Sequence, residues 1–112
     1  MQMVLLIGAG EYPLAEDEAR WLESVIRMTC LDASGRAWDR EAAAALQLAD
    51  VIAEDLARGF LPEPVELGRT STLGLLNVFH DKDAADVYAH VATSDTLAAL
   101  YLALRRFVRD AR

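Results

Sequence analysis

The alternation of apolar and polar positions begins with an apolar run, Val4 to Ile7, then Gly8-Ala9-Gly10, then Glu11 to Leu14. This reads as a hairpin: one strand goes up, the glycines turn, and the second strand comes back. After Pro13 the period becomes helical. Glu16, Asp17 and Glu18 crowd the first turn, where the positive end of the helix dipole favours carboxylates. Ala15, Ala19, Leu22, Ile26 and Thr29 share one face, and Glu16–Arg20 and Glu23–Arg27 stand at the favourable i,i+4 spacing. Asp32 to Arg36, "DASGR", is a loop by its turn residues.

The second helix, about Asp39 to Arg58, has the clearest pattern. Ala45, Leu48, Ala49, Ile52 and Leu56 form its buried stripe, with Gln47, Asp50, Glu54 and Arg58 opposite. Gly59 stands where a helix-ending glycine belongs. The prolines of "LPEPVELGR" and the alternation Val65-Glu66-Leu67 describe a short edge strand. Thr70, Ser71 or Thr72 caps a third helix through Leu73, Leu76 and Phe79, although Gly74 weakens it. Asp83 caps a short fourth helix with Ala84, Val87, Tyr88 and Val91 on one face. Thr93 or Ser94 opens the last helix, whose Leu97, Leu100, Tyr101, Leu104 and Val108 point inward. These elements predict an α+β domain spanning residues 1–112. A small antiparallel sheet, the N-terminal hairpin plus one edge strand, is covered by about four to five helices.

Composition changes this picture mainly by exclusion. With 18 acidic against 11 basic side chains the net charge is −7, which disfavours binding to nucleic-acid backbones or anionic membranes. Eleven acids and five arginines fall in residues 1–60, and seven acids and six bases in residues 61–112. An acidic surface imitating DNA, with Glu16, Asp17, Glu23, Asp50, Glu54 and Asp55, is the bolder reading of this excess, and solubility the plainer one. Cys30 is the single cysteine, fitting a small buried thiol in a reducing, cytoplasmic compartment. One lysine and abundant alanine suggest a GC-rich bacterial source.

The stretch "VLLIGAGEYP" also invites comparison with a dinucleotide-binding turn. Such a turn needs glycine three times, and here the third position is Pro13. That reading would make Val25 to Leu31 a strand, whereas the helical stripe runs unbroken through Arg27. His80, Asp81, Asp83 and His90 match no zinc pattern, and local roles explain them: His80 ends a helix, Asp83 caps one, and His90 follows Asp86 by a turn. Arg105, Arg106, Arg109 and Arg112 gather at the negative end of the last helix, as dipole complement first and anion site second. No catalytic residue, cofactor or metal is assigned.

Two functions follow as expectations. The first is a non-catalytic interaction or regulatory module, of accessory, inhibitor or immunity type, with a protein partner or itself. Its interface would be Leu14, Trp21 and Met28, which widen the apolar sector of the first helix to roughly 180°, beyond the ~100° or more that a surface helix buries. Either other elements sandwich that helix or the flank meets a second chain, most simply as a symmetric homodimer. The alternative is a small-molecule or nucleotide site at the Gly8–Gly10 loop. A pocket of several hundred cubic ångströms with converging polar groups favours the alternative, and a broad apolar patch without a pocket favours the module.

Overall fold

The computed structural model describes residues 3–59, 63–80 and 94–110. Strands β1 (Met3–Ile7) and β2 (Gly10–Leu14) pair antiparallel, with Ile7 opposite Gly10 and Met3 opposite Leu14. Gly8 makes the turn possible: its φ of 59° is open to glycine and strained for a side chain. Burial alternates along β1, so Met3, Leu5 and Ile7 face the core. Pro13 lies in β2, an outer strand of the sheet, where a residue without an N–H is tolerated.

Helix α1 (Glu16–Cys30) settles residues 25–30 as helix. It buries Ala19, Leu22, Val25, Ile26 and Cys30. Its start is held by Glu18, which accepts from Ala15 N at 2.9 Å and from Ser94 Oγ at 2.6 Å. Helix α2 (Arg40–Arg58) is capped by Asp39, which accepts from Ala42 N at 2.8 Å, and Gly59 ends it in the left-handed region. Arg27 ties the two helices, donating to Glu23 at 3.1 Å and Asp50 at 3.0 Å. These carboxylates, Asp50 foremost, push its guanidinium pKa further up.

The two-residue strand β3 (Val65–Glu66) joins the other side of β1, giving the order β2-β1-β3. It runs parallel to β1, with Leu5 opposite Val65, so the sheet is mixed and not wholly antiparallel as expected. The reason is parity. Helices α1 and α2 carry the chain across the molecule and back between β2 and β3, so β3 starts from the end where β1 starts.

Helix α3 (Arg69–Phe79) follows Gly68 directly, and none of Thr70, Ser71 or Thr72 caps it. Thr72 is fully buried and donates back to the Gly68 carbonyl at 2.7 Å, so its hydroxyl is used inside the first turn. The short helix expected after Asp83 lies outside the described residues. Helix α4 (Asp95–Asp110) opens at Ser94, whose Oγ accepts from Leu97 N at 3.2 Å. Four helices are thus described. Each packs on the next, and α4 returns against β2 and β1, closing the core over the sheet.

The α1–α2 connection carries a testable pH dependence. Asp32 Oδ1 accepts from Ser34 Oγ at 2.6 Å, Ser34 N at 2.8 Å and Arg36 N at 3.0 Å. These bonds, the Ser34 hydroxyl foremost, hold the carboxyl below its ordinary value of 3.8. A lowered folded-state pKa stabilises the fold above the unfolded value, and the contribution disappears as pH falls through the folded one. Asp32→Ala is expected to be less stable than wild type in urea titrations at neutral pH, with the gap closing in strong acid. A gap independent of pH would remove the carboxylate from the explanation.

Candidate functional site

The hairpin turn and the second half of α4 enclose a cleft of about 490 Å³. Its helical wall is Ala103, Arg106, Phe107 and Asp110, the i, i+3, i+4, i+7 positions of one face. Ile7, Gly8, Ala9, Gly10 and Tyr12 form the opposite wall. Two glycines shape the hairpin wall. A Cβ on Gly8 would stand 3.8 Å from Phe107 Cδ2, so the turn sits at contact distance from the helix. A Cβ on Gly10 would come within 2.5 Å of the Tyr12 hydroxyl, so the Tyr12 ring lies where only glycine lets it. Ile7 and Ala103 are buried, Tyr12 and Phe107 half-buried, and Arg106 and Asp110 exposed at the rim.

The rim charges are unequal in their commitments. Asp110 faces Arg109, whose Nε is 3.5 Å from its Oδ1, and Arg105 lies 5.6 Å from the Tyr101 ring centroid. Arg106 makes no ion pair or hydrogen bond among the described residues. It also borders a second groove of about 340 Å³, shared with Leu102, Arg105 and Arg109. The arginine cluster read from the sequence as dipole complement therefore also presents a cation to a cavity.

The expected interface residues separate. Leu14 is fully buried at the end of β2, which corrects its placement on an outer flank: it belongs to a strand, and its side chain faces the core. Trp21 is half-buried, meeting Phe79 edge-on at 6.3 Å between centroids. Met28 is 68% exposed. The sequence reading missed Trp38, 67% exposed in the connection before α2, where no periodicity draws attention to it.

The Gly8–Gly10 turn is not followed by the helix of a doubly wound dinucleotide-binding unit. It leads into β2, and α1 begins only at Glu16, so no helix starts directly behind the glycines to receive a pyrophosphate. Cys30 is buried. His80 Nε2 lies 2.7 Å from the Tyr101 hydroxyl, while Asp81, Asp83 and His90 lie outside the described residues. Among the described residues, no three His, Cys, Asp or Glu side chains cluster as metal ligands, and no helix is long and apolar enough to cross a membrane. No family model matches the chain, and no curated protein or solved structure is significantly similar to it.

Proposed function

We propose that the chain is a small-molecule-binding domain whose ligand occupies the hairpin cleft. One observation carries this reading: a cavity of about 490 Å³, within the ~300–1,000 Å³ span of ligand pockets, with an apolar floor and polar groups converging at its rim. Binding fits the lining better than catalysis. The described side chains around it include a phenol, a guanidinium and a carboxylate, but no nucleophile paired with a base. A fragment screen by protein-observed NMR tests the proposal. Hits are expected to shift the amides of Gly8, Gly10 and Phe107 together, and Ala9→Trp, which crowds the exposed turn, is expected to weaken them about tenfold while the fold persists. Hits scattered over the surface, or unaffected by Ala9→Trp, would remove the cleft as the site.

A second reading, the interaction module, draws on the exposed Trp38 and Met28 at the end of α1 and the connection after it. Aromatic and methionine side chains are enriched at protein interfaces. A wild-type chain that stays monomeric in light scattering at high concentration would rule out self-association.

A further inference from the structure

We infer that the hairpin cleft takes a flat, apolar ligand carrying a single negative charge; this rests on the cleft being a binding site. The shape argument comes from Tyr12 and Phe107. Both rings border the cavity half-buried, one from the sheet and one from α4, and aromatic walls favour flat partners in offset or edge-on contact. The floor between them, Ile7 and Ala103, is buried and apolar. A ligand body seated there gives up water without meeting a polar group it must satisfy.

The charge argument comes from Arg106. Of the two charged groups at the rim, Asp110 has Arg109 at 3.5 Å, whereas Arg106 has no partner among the described residues. Arg106 also borders the neighbouring groove with Arg105 and Arg109, so three guanidiniums stand near this rim against the one carboxylate of Asp110, although the whole chain carries −7. A planar guanidinium binds a carboxylate through two parallel N–H donors, which makes a carboxylate a better match than a diffuse anion.

The test uses a matched pair of probes, naphthalene-1-acetate and naphthalene-1-acetamide. They share a flat body and differ in charge. In NMR titrations of the full chain, both are expected to shift Gly8–Tyr12 and Phe107, with the acetate binding about tenfold more tightly. Arg106→Gln is expected to erase that preference by weakening the acetate toward the acetamide, with the fold kept, since Arg106 is exposed and outside the core. Equal affinities for the two probes, or a preference that survives Arg106→Gln, would overturn the charge assignment and leave the cleft standing. If neither probe shifts these residues the inference fails, and the fragment screen decides separately whether the cleft binds anything.

Discussion

Phe79→Ala is expected to lower unfolding stability by about 3–5 kcal/mol, the usual cost of removing a buried phenylalanine. Phe79 ends α3 and is only 2% exposed. Its ring meets Trp21 of α1 edge-on at 6.3 Å and stacks on Tyr101 of α4 at 5.8 Å and 26°. Truncation therefore leaves a cavity and removes one ring contact from each of Trp21 and Tyr101. With total stabilities of small domains near 5–15 kcal/mol, the variant is expected to be marginal at room temperature. Phe79→Leu keeps much of the volume and is expected to cost far less. Urea titrations followed by far-ultraviolet circular dichroism check both, and a cost below 1 kcal/mol for alanine would deny Phe79 this place in the core.

The next largest effect reverses an ordinary rule. Alanine in place of a helical glycine normally gains about 1 kcal/mol. At Gly74 the added Cβ would lie 2.8 Å from the Glu41 carbonyl carbon and 3.2 Å from the Ala45 Cβ, and it would press on the Glu41 oxygen itself. Backbone cannot rotate away as a side chain can, so α3 and α2 must move apart. Gly74→Ala is expected to lose about 1–3 kcal/mol, the range for overpacked cores. Adding Ala45→Gly is not expected to restore it, because the tighter contact is with the Glu41 peptide. A Gly74→Ala variant as stable as wild type would mean that the helices yield at little cost.

Gly74 also shows where sequence reasoning stops. Along the chain it is a weak point in a helix; in the fold it is the place where two helices approach. Periodicity reports which side of an element is buried, and it placed α1, α2 and the hairpin well because their patterns are local. It did not report direction. The strand Val65–Glu66 was legible, but its parallel pairing depends on how many helices intervene, a property of the whole path. The cleft was half legible. Gly8 and Gly10 were singled out early, yet their facing wall, Ala103 to Asp110, lies almost a chain length away and was read only as an inward stripe and an arginine cluster. Leu14 misled because its spacing from Trp21 and Met28 is helical, whereas it ends β2 opposite Met3.

The central position of β1 has a consequence during synthesis. Its hairpin partner follows within a few residues, but its other edge waits for Val65, 60 residues after Leu5. At ~5–20 residues per second of translation, that edge stays open for roughly 3–12 s. An apolar strand with an unpaired edge is a template for joining another chain. The segment made during that wait is also where the acidic excess lies: residues 1–60 hold eleven acids against five arginines. Like net charge on that segment disfavours the pairing of two such open edges.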